Sequence, residues 1–194
     1  MAQVKKASVR DAILESAFER FQEAGYSETT LAGIARGAGV TMYNIYNYFD
    51  SKLEILFAVY EPWLEERLDA LVAEVATLNE PRDKLRTIFR TLFRDIPAEN
   101  GGFANNLLQA ISARRPDEVY SSALLGRSEA KITAVLREIL PAGDARLVDD
   151  GQLSHLLFMA FDGFAINYKL RGKSRRAEAI SDMLSDLILA GAEP

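Results

Sequence analysis

Apolar side chains recur along this chain at helical spacing, and from Lys52 onward no segment alternates apolar and polar residues as a strand does. Five apolar residues near the N-terminus fall on one helical face: Ile13, Leu14, Ala17, Phe18 and Phe21. Gly25 follows at the position where a left-handed cap would end this first helix. The pattern predicts an amphipathic helix whose apolar side must be covered by neighbouring helices.

Two short helices separated by a glycine turn are predicted between residues 30 and 48. Thr30 is a typical N-cap for the first of them. The buried face of that helix would consist of Leu31, Ile34, Ala35 and Ala38. Gly37 and Gly39 end it, and Thr41 is suited to cap the second helix. Two short helices joined in this way form the unit that places its second helix in the major groove of DNA.

The second short helix has an unusual composition for a surface helix. Its residues are Met42, Tyr43, Asn44, Ile45, Tyr46, Asn47 and Tyr48. Only Ile45 is an obvious core residue, so this helix of about two turns needs a supporting platform and offers a surface suited to a partner. The alternative is a surface helix whose tyrosines merely lie on the protein.

A long helix follows, over about 51–78, and the rest of the chain predicts helices only. Asp50 and Ser51 are N-cap candidates for the long helix, which begins near Lys52. Pro62 inside it predicts a kink or break near Val59. Further helices are predicted over about 85–96, 103–111, 116–140, 147–171 and 174–191. We therefore predict an all-α fold of about nine helices, with a three-helix N-terminal domain before a larger helical domain.

Three segments within residues 10 to 56 carry a resemblance to a known family: AILESAFERFQEAGY, ETTLAGIARGAGVT and IYNYFDSKLEIL. In order and spacing they resemble the three-helix DNA-binding domain of the TetR family of bacterial transcriptional regulators. The sequence departs from the usual pattern at Met42 and Tyr43, where small or basic residues are common, and at Asn47, where the family often has His. The resemblance implies a helix-turn-helix DNA-binding domain over residues 1–50 and a helical effector-binding and dimerisation domain over residues 51–194.

The resemblance also implies two groups of DNA contacts. Contacts to the DNA backbone are implied for Thr29, Thr30, Tyr48 and Lys52. Positions in or beside the major groove are implied for Thr41, Met42, Tyr43, Asn44, Tyr46 and Asn47. The side-chain chemistry agrees, because hydroxyls and an ammonium hold phosphates, whereas an asparagine amide both donates to and accepts from an adenine edge.

The penultimate helix is apolar on nearly every side, so more than one neighbour must cover it. In a small domain the second cover is often another subunit, and Gly163 would let a partner helix approach closely. In the family that the chain resembles, the final two helices pair with their twofold mates as a four-helix bundle. The predicted homodimer interface contains Phe161, Gly163, Phe164, Ile180, Leu184, Leu187 and Ile188. Such a dimer would present two DNA-binding domains, called reading heads below, to half-sites roughly 35 Å apart on a palindromic operator.

Aromatic residues are frequent in the second domain, and most are expected to lie in its core. The resemblance implies that some line a cavity for a small, largely apolar effector, as pockets between helices of a bundle do. The candidate ligand-binding residues are Trp63, Phe89, Phe93, Phe103, Asn106, Tyr120, His155, Phe158 and Asp162. His155 is the only histidine, and without a phosphate loop or a metal-ligand cluster it is weak evidence for catalysis. We therefore predict no catalytic residue, no metal site and no cofactor.

Composition and charge restrict the remaining possibilities. The chain is 48% hydrophobic and 26% charged, and no apolar run approaches the roughly 20 residues of a membrane span, so we expect a cytoplasmic protein without a cleaved leader. Zero cysteines exclude disulfides, thiolate metal sites and a cysteine nucleophile. Residues 1 to 52 carry six basic and six acidic side chains, so the predicted DNA-binding domain is neutral and the remainder carries the net charge of -5.

Together these observations predict a dimeric, sequence-specific DNA-binding transcriptional regulator. The preferred form is a repressor released from its operator by a small, largely apolar ligand, because such a ligand favours a form whose reading heads are wrongly spaced for DNA. One alternative is a DNA-binding regulator that has no small-molecule effector or that acts as an activator. A further alternative is an enzyme or scaffold with a borrowed DNA-binding head.

Overall fold

The computed structural model describes residues 2–114, 122–140 and 148–190, with residues 2–7 described by their backbone alone. All regular structure in these ranges is helical, which confirms the all-α prediction. The α-helices of five or more residues in these ranges are α1 (Ala2–Glu28), α2 (Leu31–Gly37), α3 (Met42–Tyr46), α4 (Lys52–Ala76), α5 (Pro81–Arg90), α6 (Asn105–Ser112), α7 (Ala123–Ile139), α8 (Gln152–Arg171) and α9 (Ala177–Ala190). A π-helical stretch, Thr91–Asp95, and one helical turn, Ile96–Ala98, continue α5. Within these ranges no helix combines the length and hydropathy needed to cross a membrane.

The chain divides into two compact units, each built from two stretches of sequence. The first unit combines Met1–Trp63 with Asn100–Val119, and the second combines Leu64–Glu99 with Tyr120–Pro194. Helix α4 passes from the first unit into the second after Trp63. The first unit therefore extends past residue 50, where the sequence placed the end of the DNA-binding domain. The division of function at residue 50 stays a prediction.

In the first unit, α1 packs against α2 and α6, and α2 packs against α3. The side chains of Ile13, Phe21, Ile34 and Ile45 are fully buried between these helices. Gly25 interrupts α1 with a φ of +80°, positive as in the predicted left-handed cap, but its ψ of 167° lies outside the left-handed helical region. Burial of large apolar side chains from α1, α2 and α3 gives the two short helices the platform that they lack in isolation.

Four aromatic rings pack together in the first unit. Phe103 has its ring centroid 4.9 Å from those of both Phe18 and Trp63, and 5.8 Å from that of Tyr60. The Tyr60 hydroxyl donates to the carbonyl of Ala104 at 3.2 Å. Aromatic pairs at these separations contribute about 0.5–1.5 kcal/mol each beyond their buried area. The cluster therefore holds the first half of α4 against α1 and the segment that precedes α6.

Helix α4 is continuous through Pro62 from Lys52 to Ala76, so a break near Val59 is absent, and the kink predicted as its alternative stays a prediction. The proline ring is exposed, whereas Tyr60 and Trp63 beside it are buried. Proline removes one backbone hydrogen bond, but packing of its buried neighbours holds the helix together at this point.

In the second unit, arginines of α5 and of the π-helical stretch that continues it form a ladder of ion pairs with carboxylates of α9. The pairs are Arg82 with Asp186, Arg86 with Asp182, and Arg94 with Glu178. In the first two pairs, a guanidinium nitrogen lies 2.6 Å from a carboxylate oxygen. Steps of four or eight residues place the pairs along one face of each helix, in antiparallel order. Because exposed pairs add little stability individually, the main effect of the ladder is to fix the register of α9 on α5.

Helices α8 and α9 carry an exposed apolar surface, which we call the α8–α9 face. It contains Leu156, Met159, Ile166, Leu170, Met183 and Leu187, each between 42% and 75% exposed. The apolar surface predicted around the penultimate helix is therefore only partly covered by this protomer. Beside it lies a groove of about 210 Å³ with apolar lining residues that include Phe89, Phe93, Phe164, Ile180, Leu184 and Ile188.

The predicted dimer residues divide between core and surface. Phe161 is only 3% exposed and packs on Phe158 with ring centroids 6.1 Å apart, so it belongs to the core of the second unit. Leu187 is 66% exposed, and no atom lies within 4 Å of the point where a Cβ on Gly163 would stand. The other four, which line the groove, are Phe164, Ile180, Leu184 and Ile188.

Gly37 is required by the packing of α1 on α2. A Cβ at this position would lie 2.2 Å from Ser16 Oγ, which is buried and donates to the carbonyl of Ile34 at 3.0 Å. We expect Gly37→Ala to lower the free energy of unfolding by about 1–3 kcal/mol, measured by thermal unfolding. As a control, Gly126→Ala on α7 meets no atom within 4 Å and is expected to stabilise by about 0.5–1 kcal/mol. Wild-type stability in Gly37→Ala would contradict this account.

Candidate nucleic-acid interface

The helix-turn-helix predicted between residues 30 and 48 is formed by α2, the turn after it and α3. Thr30 caps α2 as predicted, because its hydroxyl accepts from the amide of Gly33 at 3.0 Å. In the turn, Gly39 takes a φ of +66° and the amide of Val40 donates to the carbonyl of Ala35 at 2.9 Å. These local hydrogen bonds fix the angle at which α3 leaves α2.

Helix α3 is anchored by one side chain and exposes most of the others. Ile45 is fully buried, whereas Tyr43 is 74% and Tyr46 is 56% exposed. Asn47, directly after the helix, is exposed too, and Met42 is half-buried. Packing of the first unit gives no reason for two tyrosines to stand in solvent on so short a helix. Their display is typical of a surface that contacts a partner, and for a helix-turn-helix that partner is the major groove.

A capping box closes the start of α3 and occupies the side chain of Asn44. Asn44 Oδ1 accepts from the amide of Thr41 at 3.2 Å and from its hydroxyl at 2.7 Å. Thr41 Oγ1 in turn accepts from the amide of Asn44 at 3.3 Å. A bidentate contact from Asn44 to adenine would break this box, because it needs the same carbonyl oxygen. Asn47 has no side-chain hydrogen bond within the part of the chain that the structure describes, so its amide is available for that contact.

Two residues implied as backbone contacts have their polar groups bound within the protein. Thr29 is 4% exposed, and its hydroxyl donates to the carbonyl of Gly25 at 2.8 Å. Lys52 Nζ donates to the carbonyls of Tyr26 at 2.7 Å and Thr29 at 2.8 Å. Burial lowers the pKa of Lys52, and the negative charge of Glu28 acts in the opposite direction. Lys52 thus ties the start of α4 to the end of α1, and the DNA contacts implied for Thr29 and Lys52 remain predictions.

The structure adds two arginines that the sequence did not single out. Arg36 is exposed in the last turn of α2. Arg20 of α1 lies over α2, with a terminal nitrogen 3.3 Å from the point where a Cβ on Gly33 would stand. Among the described residues neither forms an ion pair, so both are candidate phosphate contacts. The sequence could have indicated Arg36 as a candidate phosphate contact, because it is a cation in the last turn of the predicted α2. No local spacing indicates that Arg20 of α1 lies over α2.

The predicted ligand-binding residues of the first unit lie inside its core. Trp63 and Phe103 belong to the aromatic cluster. Asn106 is 1% exposed and donates through its amide to the carbonyls of Phe21 at 3.1 Å and Phe103 at 2.9 Å. These three residues therefore pack and bond within the first unit, and Tyr120 lies outside the described residues.

The remaining ligand candidates lie in the second unit, which brings only Phe89 and Phe93 to the apolar groove. Phe158 is 3% exposed and belongs to the core. His155 is exposed, and its Nδ1 lies 2.7 Å from Glu129 Oε1. The structure thus places Trp63 and Phe103 in the aromatic cluster, Phe89 and Phe93 at the groove, and Phe158 in the core of the second unit. The ligand contact of each residue remains a prediction.

Asp162 is half-buried on α8, and burial raises its pKa from an ordinary value near 3.8 to about 6. Because the folded state holds this proton more tightly, the carboxyl favours folding below pH 4, and that contribution is lost as the pH rises through 6. We expect Asp162→Asn to raise stability at pH 7.5 by about 1–2 kcal/mol, with little effect at pH 4. Thermal unfolding at both pH values measures this, with the exposed Asp150→Asn as control. An equal effect of Asp162→Asn at both pH values would contradict it.

The chain is all-α and contains a capped helix-turn-helix whose second helix faces outward. These features place it in the class of helix-turn-helix DNA-binding regulators. A family model described as bacterial regulatory proteins of the tetR family matches residues 13–59. The TetR family transcriptional regulator PfmR from Thermus thermophilus is 30% identical, with a TM-score of 0.59 over 94% of this chain and 99% of that chain. The chain belongs to the TetR family of bacterial transcriptional regulators.

Two other similarities extend over most of the chain. The HTH-type transcriptional regulator BetI of Rhizobium meliloti (strain 1021) is 26% identical over 183 residues, which cover 93% of this chain and 88% of that protein. The transcriptional regulator FadR from Bacillus subtilis, solved in complex with stearoyl-CoA, has a TM-score of 0.63 at 17% identity and covers 94% of this chain and 98% of that chain. The second similarity is one of fold.

Proposed function

We propose that this regulator is a dimeric, sequence-specific repressor that binds a palindromic operator and is released by a small, largely apolar ligand. The observation that carries the DNA-binding part is the outward display of α3. Tyr43 and Tyr46 are exposed on a helix whose single buried anchor is Ile45. Such a helix has its base-reading groups already positioned before DNA arrives.

Within this proposal the side chains of α3 and its C-terminal end read bases, and residues around α2 hold phosphates. Asn47, whose side-chain amide forms no hydrogen bond with the described residues, is suited to an adenine edge, and the ring of Tyr43 is suited to a thymine methyl. Thr30 and Arg36 are exposed beside them and are suited to phosphate oxygens, which fix orientation without reading sequence.

The dimer part of the proposal is supported by the α8–α9 face. Six large apolar side chains that stand 42% to 75% exposed form a surface that water disfavours and that a second copy of the same surface can cover. A twofold axis through this face would make the two reading heads equivalent. Half-sites roughly 35 Å apart on one side of the duplex would then suit them.

The effector part of the proposal is supported by the apolar groove. Four of its lining residues also belong to the predicted dimer interface: Phe164, Ile180, Leu184 and Ile188. A ligand seated there would change how the two protomers pack, and so change the spacing of their reading heads. Because FadR from Bacillus subtilis was solved in complex with stearoyl-CoA, acyl compounds are among the first candidate ligands to test.

Footprinting on the DNA upstream of the chain's own gene tests this proposal. We expect protection of an inverted repeat, and sedimentation of two protomers with one operator duplex. Fatty acids, acyl-CoA thioesters and aromatic compounds are then added singly. A true effector is expected to weaken binding about 5- to 150-fold, since couplings between sites are commonly about 1–3 kcal/mol.

Two results would overturn different parts of the proposal. Absence of any duplex binding at low ionic strength would remove the DNA-binding part. Operator binding that no apolar compound alters would remove the effector part and favour a regulator without a small-molecule ligand.

A further inference from the structure

A dense run of positive charge lies far from the helix-turn-helix in sequence. Five of the eight residues from 169 to 176 are Lys or Arg, and none is acidic. We call this run the basic turn. It consists of the end of α8 and the connection to α9, and its cations are Lys169, Arg171, Lys173, Arg175 and Arg176.

All five cations of the basic turn are exposed. Among the residues that the structure describes, none of them forms an ion pair. The arginines of the nearby ladder behave differently, since Arg82, Arg86 and Arg94 are each paired with a carboxylate of α9. The protein thus neutralises the cations that fix α9 and leaves those of the basic turn open to solvent.

Helix electrostatics explain only part of the basic turn. Lys169 and Arg171 lie in the last turn of α8, where the partial negative charge of a helix end favours cations. Lys173, Arg175 and Arg176 come immediately before α9, where the partial positive charge of a helix start disfavours them. Crowding of like charges adds to that cost. Neither the helix start nor an ion pair with a described residue stabilises the last three cations, which points to a negatively charged partner.

The charge balance of the chain makes this run conspicuous. The whole chain carries a formal net charge of -5, and because the basic turn carries +5, all other residues together carry -10. Residues 1 to 52, which include the helix-turn-helix, sum to zero. A DNA-binding protein needs local positive charge whatever its total. In this sequence, the densest such charge is in the basic turn.

We propose that the basic turn binds the phosphate backbone of double-stranded DNA, as a second, sequence-independent contact outside the base-reading helix. The inference rests on the proposed function, in which this chain binds a duplex. Phosphate contacts of this kind strengthen and orient a complex without reading its sequence. An anionic membrane is less suited to this surface, because interfacial anchoring needs a free apolar face. Leu170 is the single large apolar side chain within the run, and the α8–α9 face beside it is covered by the second copy in the proposed dimer.

The salt dependence of duplex binding tests the proposal. Full-length protein is titrated into a fluorescent duplex of about 30 base pairs of arbitrary sequence, between about 50 and 200 mM KCl. The test variant is Lys173→Gln, Arg175→Gln, Arg176→Gln. The control variant, with the same change in net charge, is Lys84→Gln, Arg127→Gln, Arg137→Gln in other parts of the second unit. Circular dichroism checks that both variants keep their helix content.

Each phosphate contact contributes about 0.9 to the slope of log affinity against log salt, so the test variant is expected to lose about 2–3 units of slope per protomer. The control variant is expected to keep the wild-type slope. A wild-type slope in the test variant, while the wild-type protein binds the duplex, would overturn this inference alone. Absence of duplex binding by the wild-type protein would instead overturn the proposed function.

Other polyanions provide the remaining arms of the experiment. Coenzyme A and vesicles of phosphatidylserine and phosphatidylcholine are offered to the wild-type protein and the test variant. We expect no difference between the two proteins with either probe. Loss of coenzyme A or vesicle binding in the test variant, with an unchanged duplex slope, would show that the basic turn serves a different partner and would overturn the proposal.

Discussion

Operator affinity is expected to fall about 30-fold or more in the double variant Tyr43→Ala, Asn47→Ala. Each good contact to a base edge contributes about 1–3 kcal/mol of discrimination. Both side chains are exposed, with Tyr43 at 74%, so their loss removes no packing. Fluorescence anisotropy with the footprinted operator and with an unrelated duplex measures the effect. Binding to the unrelated duplex should change little, because the phosphate contacts remain.

The structure supplies a matched control for this variant. Asn79→Ala removes an exposed asparagine between α4 and α5 and should leave operator affinity unchanged. Asn44→Ala should lower the stability of α3 by about 1 kcal/mol, because it removes one half of the capping box. Full operator affinity in the double variant would show that α3 does not read bases.

The second large effect is expected from Leu187→Glu on the α8–α9 face. Leu187 is 66% exposed in the protomer, so a carboxylate is tolerated there in a monomer but would be buried and unpaired in a dimer. We expect sedimentation to show a folded monomer. Operator affinity should fall about 100-fold or more, because linking two binding heads raises overall affinity by about 10²–10⁴.

Ala134→Glu on α7 is the control for the dimer variant, since it adds the same charge to an exposed position on another helix. It should leave both the oligomeric state and operator binding unchanged. A Leu187→Glu protein that remains a dimer would place the subunit interface elsewhere on the surface.

The parts of the fold that the sequence predicted well depend on short-range chemistry. Thr30 and Thr41 cap α2 and α3, and Ser51 accepts from the amide of Glu54 at 3.0 Å at the start of α4. Each of these bonds joins residues three apart, so the residue types and their spacing are sufficient to predict it.

The parts that the sequence could not predict depend on residues far apart in the chain. The ladder joins Arg82 to Asp186 across 104 residues, and no local pattern indicates that these two meet. Lys52 illustrates the same limit, because its position favours a phosphate contact while its ammonium donates to two carbonyls of the first unit. Local spacing identifies a cation but not the group that it binds.

The candidate ligand site shows a different limit. A buried aromatic residue gives the same helical pattern whether it packs in a core or lines a cavity, so the sequence could not separate the two. The structure places Phe103 in a four-ring cluster and Phe93 beside a groove. The sequence also could not separate Asn44 from Asn47 as candidate base contacts. In the structure the side chain of Asn44 is bonded in the capping box.

The capping box of α3 also bears on how fast this regulator finds DNA. A five-residue helix in isolation would spend most of its time unwound. Because Thr41 and Asn44 close its first turn and Ile45 anchors it, α3 meets the duplex already wound. The encounter then needs no folding step, and its rate constant should depend on diffusion and ionic strength rather than on a conformational transition.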